Sequence, residues 1–167
     1  MKKVAVLLAS LMVAACASSH KTDVSQAAQP DTANKATASA AADAVDLGKL
    51  NAEIQQLQKQ SDYFDYNKYV VKAEYREVLQ KEAEFIKAHK NDVVTLEGNA
   101  DERGSENYNM ALGTNRAEAV AKSLEAYGVP ASQLKFVSLG KDKPRLTCHA
   151  EKCWKENRRV DFSHNLG

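Results

Sequence analysis

The 167 residues make room for one ordinary domain, and 44% hydrophobic against 27% charged residues fits a folded globular chain. The formal net charge is +1 and no long block of one sign occurs, so nothing in the charge pattern marks a nucleic-acid binder. The chain opens with Lys2 and Lys3, an apolar run from Val4 to Val13, and then Ala14, Ala15 and Cys16. A basic start, a short apolar core and small residues behind it predict a secretory signal over residues 1–15. The run is too short to cross a bilayer, which takes about 20 apolar residues.

The stretch "VAAC" resembles a bacterial lipobox. That resemblance implies cleavage after Ala15 and lipidation of Cys16. An Ala rather than an Asp at position 17 points to the outer membrane. Several acyl chains together make a stable anchor where one alone is marginal. Residues 16–45 hold almost no large apolar side chain and read as a flexible tether, with a coil span of roughly 30 Å. With Cys16 lipidated, Cys148 and Cys153 remain as a pair in an oxidising compartment. The alternative is a metal held by Cys148, His149, Cys153 and His164, but their spacing is not that of a usual zinc site, and secretion favours the disulfide.

Residues 46–60 follow. Leu47, Leu50, Ile54 and Leu57 recur at the spacing of a short amphipathic helix, which either packs on its own domain or self-associates weakly. The globular part covers residues 61–167. "DYFDYN" is a short strand, and Val71–His89 places Val71, Tyr75, Val78, Leu79, Ala83 and Ile86 on one helix face. "DVVTLEG" is a strand, and Ser105 caps a helix from about Glu106 to Tyr127, stopped by Gly128 and Pro130. "LKFVSLG" and "RRVDFSH" complete the strands. The order β-α-β-α-β-β predicts an α+β fold with two main helices on one face of a mixed sheet.

Two charges in this frame call for an explanation. Tyr108, Leu112, Arg116, Val120 and Leu124 lie four apart and form one row, so Arg116 sits among apolar neighbours. A buried arginine needs an anion, from the protein or from a ligand. Gly113, one turn earlier, leaves space either for a close approach or for tight packing on the sheet. Asp101 stands in the loop between strand and helix, a common place for ligands. An acid and a guanidinium facing one cleft suit a zwitterion, Asp101 taking an ammonium and Arg116 a carboxylate. An internal Asp–Arg ion pair is the other reading.

"YFDYNKY", "EGNADERGSENYN", "ALGTNRAEAV", "GVPASQLKFVSLGKDKP" and "NRRV" occur in order with near-matching spacing. Over about Tyr63 to Phe162 the chain resembles the OmpA-like C-terminal domain family, and within it the branch of peptidoglycan-associated lipoproteins. The resemblance implies non-covalent binding of peptidoglycan through the diaminopimelate of the stem peptide, with Asp101 and Arg116 gripping its zwitterionic end. It also implies that Asp65, Asn109 and Leu112 lie near the site. On their own terms Leu112 is equally a core residue, Asn109 equally a bridge between backbone groups, and Arg158 and Arg159 either line the cleft or pair with acids. The chain departs from the family pattern at Asn99, at Asn115 and in the loop carrying Cys148 and Cys153.

No nucleophile signature or separated carboxylate pair marks an enzyme, and no cofactor or metal is expected. The expected role is an outer-membrane lipoprotein that ties the membrane to the wall, with periplasmic Tol proteins as further partners. The alternative is an envelope adaptor working through protein–protein contacts. A wall hydrolase is the rival class.

Overall fold

The computed structural model describes residues 36–167, with side chains from residue 46. The expected signal over 1–15, the lipidated Cys16 and the first part of the tether lie outside the described residues. Helix α1, Ala36–Gln58, begins ten residues earlier than the apolar spacing predicts. Its extra turns are rich in alanine, the best helix former, which a search for large apolar residues overlooks. Leu57 at its end is buried whereas Leu47, near its middle, is 59% exposed, so the C-terminal end of α1 packs on the domain. No helix among the described residues is long and apolar enough to cross a membrane.

The domain then runs β1 (Ser61–Tyr63), α2 (Arg76–Ala88), β2 (Val94–Asn99), α3 (Glu106–Ala126), β3 (Leu134–Gly140), α4 (Glu151–Asn157) and β4 (Arg159–Ser163). The sheet order is β1-β4-β2-β3. β2 and β3 are parallel and joined through α3, as a parallel pair requires, while β4 runs antiparallel to both β1 and β2. The predicted α+β architecture with a mixed sheet is therefore the observed one. The short α4 was not foreseen, because seven residues do not span enough turns to show a helical period.

One face of the sheet carries the core. Leu79, Ala83 and Ile86 of α2 and Ala117, Val120, Ala121 and Leu124 of α3 pack on Val94, Leu96, Val160 and Phe162. Strand alternation sends the intervening side chains to the other face. There Asp161 accepts hydrogen bonds from Ser61 at 2.6 Å, Arg145 at 2.7 Å and Arg159 at 2.8 Å.

The ends of α3 follow the sequence signals. The Ser105 hydroxyl accepts from the Tyr108 N–H, and Gly128 at φ +88° turns the chain out of the helix. Gly113 has a packing role. A Cβ there would stand 2.2 Å from Ser138 Oγ and 2.6 Å from the Gly98 carbonyl oxygen. What approaches Gly113 is the backbone of the sheet, and this Gly98–Gly113 contact sets α3 against β2 one turn before Arg116.

Candidate functional site

At the C-terminal end of β2 the loop 100–104, the start of β4 and one turn of α3 bring three arginines around one aspartate. Arg116 is fully buried. Its Nε donates to the Lys68 carbonyl at 2.9 Å, Nη1 to Asn99 at 2.7 Å and Nη2 to Asp65 at 3.3 Å. The guanidinium carbon also lies 5.3 Å from the centroid of the Phe64 ring. Among the described residues no carboxylate forms an ion pair with it. Burial, reinforced by nearby Arg158, pushes its pKa down to about 10, and Asp101 pulls the other way.

Asp101 is buried too, but its carboxylate is fully engaged. Arg103 meets it in two-pronged fashion, Nε to Oδ1 at 3.0 Å and Nη2 to Oδ2 at 2.6 Å. The Arg103 main-chain N–H donates to Oδ1 at 3.1 Å, and Arg158 Nη1 to Oδ2 at 3.3 Å. Burial alone would raise the Asp101 carboxyl, yet these donors outweigh it and hold the pKa below its ordinary value. Arg158 also donates to the Phe64 carbonyl at 2.9 Å and pairs with Glu151. Three guanidinium groups thus face two carboxylates, Asp101 and Glu151, which leaves the cluster one positive charge in excess.

The outer wall is aromatic. The Arg103 guanidinium lies 4.1 Å from the centroid of the Tyr66 ring and 4.1 Å from that of Trp154. The Trp154 indole donates to Glu102 at 2.7 Å, and His149 shares the same carboxylate. Cys148 and Cys153 are joined by a disulfide with Cα atoms 5.6 Å apart, which ties the loop before α4 to its first turn.

The structure gathers some of the predicted residues and parts others. Asp101 and Arg116 occupy the same cluster, and Asp101 lies close enough to act on the Arg116 charge, but each is bound to other groups. Neither an Asp101–Arg116 ion pair nor an open cleft between the two is present. Asn109 is buried and donates to the Arg103 carbonyl at 3.0 Å, the bridging role open to it from the sequence. Leu112 is buried in the same helical row. Asp65 reaches Arg116 only through its carbonyl, for its carboxylate points outward to Lys72 at 2.9 Å. Arg158, the residue between α4 and β4, joins the cluster, whereas Arg159 turns to the far face of the sheet and pairs with Asp161, two residues along the same strand and so on the same face. The four metal candidates are dispersed, with both cysteines in the disulfide, His149 on Glu102 and His164 bound to Asp92 at 2.7 Å. Arg103, Tyr66, Glu151 and Trp154 escaped the sequence reading. The one available signal was Arg103 itself, two residues beyond Asp101 in a tight loop.

Fold and cluster together define a class, a two-layer α+β domain that collects opposite charges at the end of its central strand. The OmpA family model matches residues 63–158, more than half of the chain, and the chain belongs to the OmpA family. It is 42% identical over 98 residues to a peptidoglycan-associated lipoprotein of Agrobacterium fabrum, covering 59% of this chain and 55% of that one. It is 46% identical over 100 residues to the peptidoglycan-associated lipoprotein of Pseudomonas putida, covering 60% of each. The crystal structure of the peptidoglycan-associated lipoprotein from Burkholderia pseudomallei superposes with a TM-score of 0.63 at 43% identity, over 64% of this chain and 90% of that one. The matched region spans little more than half the length of the first two relatives.

Proposed function

We propose that the chain is an outer-membrane lipoprotein that binds peptidoglycan non-covalently and so ties the membrane to the cell wall, within a Tol–Pal type assembly. The segment ahead of α1 and α1 itself give the reach, and the domain from residue 61 gives the grip. The ligand group is the zwitterionic end of diaminopimelate in the stem peptide, with Asp101 receiving the ammonium and Arg116, beside Arg158, drawing in the carboxylate.

The observation that carries this reading is the charge state of the cluster. A low-pKa carboxylate stands beside a buried guanidinium that has no carboxylate of its own, and the cluster holds a surplus positive charge. The carboxylate of a zwitterion supplies the anion that Arg116 lacks, its ammonium competes with Arg103 for Asp101, and charge-assisted hydrogen bonds in a partly dry site are the strong ones. The names of the relatives support peptidoglycan as the partner.

The chain is expected to sediment with purified diaminopimelate-type sacculi without releasing soluble fragments. Asp101→Asn keeps the side-chain volume but removes the charge, and is expected to lose at least about tenfold in binding. Sedimentation of Asp101→Asn equal to wild type, or release of muropeptides by wild type, would contradict the proposal.

A further inference from the structure

Asp101, Tyr66 and Trp154 form a box built for a cation. A carboxylate closes one side and the two rings close the others, each ring centroid 4.1 Å from the charge between them. Carboxylate and ring faces attract the same positive group, so a cation there is held by both. In this structure the occupant is the chain's own Arg103.

The three arginines differ in how free they are to leave. Arg116 and Arg158 have side chains exposed by 6% or less and are fastened to main-chain carbonyls. Arg103 is 30% exposed, and its guanidinium bonds only to side chains. Its main chain, by contrast, is pinned. The N–H donates to Asp101 and the carbonyl accepts from Asn109, so the side chain can swing out without moving the loop.

We infer that Arg103 is an internal placeholder for the ligand's ammonium group. It fills the box when no ligand is present and is displaced by the incoming cation, which then stands between Tyr66 and Trp154 on Asp101. This inference rests on the reading of Asp101 as the seat of the ammonium. It explains why a carboxylate awaiting a cation is found satisfied and buried. While Arg103 is seated, the site is closed, and apparent affinity falls by the fraction of time that the box is open. The device also favours ligands that bring a carboxylate for Arg116 together with the ammonium, since an ammonium alone must beat a two-pronged, stacked guanidinium.

The chain has one tryptophan, so the fluorescence of Trp154 reports the occupant of the box. A stem tripeptide containing diaminopimelate, titrated into the full-length chain, is expected to change the emission of wild type. Arg103→Ala is expected to show altered emission before ligand is added and, by calorimetry, to bind the tripeptide about tenfold more tightly. Arg103→Lys keeps the charge but lacks the fork and the flat stacking face, so it falls between them. Equal or weaker binding by Arg103→Ala overturns the inference. Should that variant fail to fold by circular dichroism, Arg103→Lys decides alone, tighter binding supporting the placeholder and equal or weaker binding overturning it. Sacculi sedimentation separates this inference from the reading beneath it. If wild type sediments and the variants gain nothing, only the placeholder fails. If neither wild type nor Arg103→Ala sediments or binds the tripeptide, the diaminopimelate reading fails with it.

Discussion

The central strand pair β2–β4 has a buried charged cluster at each end, and the two clusters differ. At the end where β2 runs into α3, Asp101 is surrounded by donors, Arg116 has no carboxylate partner, and one member, Arg103, reaches solvent. At the other end the enclosed side chain of His164 donates to Asp92 at 2.7 Å and faces Glu82 at 3.3 Å, with Phe85 set edge-on against its ring. Asp62, buried opposite Val160 in the register of β1 and β4, feels the charge of Glu82, and its carboxylate oxygens have no hydrogen-bond partner. Burial, then Glu82, pushes Asp62 up to about 7, while His164 rises to about 9 because the two carboxylates outweigh its burial. Both ends hold buried charge, yet only one has a surplus positive charge, rings stacked on a guanidinium and a partly exposed arginine. Buried charge by itself does not mark a binding site, and the sealed cluster reads as a structural tie between the C-terminal segment, α2 and β1.

Substitutions at the two ends should separate them. His164→Ala removes the cation of the sealed end and leaves Asp92 and Glu82 facing each other. A loss of about 3–5 kcal/mol in urea unfolding is expected, with sacculi binding unchanged below the midpoint. A binding loss at full folding would erase the distinction. Gly113→Ala drives a methyl into Ser138 and the Gly98 carbonyl, costing about 2–3 kcal/mol, and should also weaken sacculi binding because α3 carries Arg116. Cys148→Ser opens a short loop, and a loss of roughly 2 kcal/mol is expected from the chain-entropy argument. Non-reducing intact mass checks the bridge itself.

The smallest effect is the pH response, and the two ends give it opposite signs. Asp62 and His164 have raised folded pKa values, so what they contribute is present at low pH and lost as pH rises through about 7 and about 9. Asp101 is depressed, so its contribution is present above the ordinary carboxylate range and lost on acidification below it. The urea midpoint should therefore fall from about pH 4 to about pH 9, first across the window of Asp62, which closes at about 7, and then across that of His164, which closes at about 9. Asp62→Asn should flatten the part of that fall below about pH 7, since asparagine has no proton to lose. An unchanged slope in Asp62→Asn would show that another group carries it.

Most of the fold could be read from local pattern. The helical row through Leu112, Arg116, Val120 and Leu124 placed Arg116 in the interior, and Ser105 and Gly128 bounded its helix. The site was only half readable. That Arg116 is buried follows from helix phase, but that its partners are the carbonyls of Asp65, Lys68 and Asn99 depends on chain crossings 17 to 51 residues apart. Glycine at 113 predicted a close approach without saying of what. The link of Trp154 to Arg103 needs α4, which is too short to announce itself. His164, a metal candidate from its residue type, finds Glu82 and Asp92 across 82 and 72 positions, and no local signal carries such a pairing.

The central claim is that the open end recognises a zwitterion, and it is tested most directly by changing one group of the ligand. Lysine differs from diaminopimelate by the absence of one carboxylate, the group assigned to Arg116 and the surplus positive charge. Sedimentation of the full-length chain with sacculi of the two types should give binding to diaminopimelate sacculi and binding to lysine sacculi weaker by at least about tenfold, the discrimination expected when a buried polar partner is left unmatched. Equal binding to the two would contradict the account.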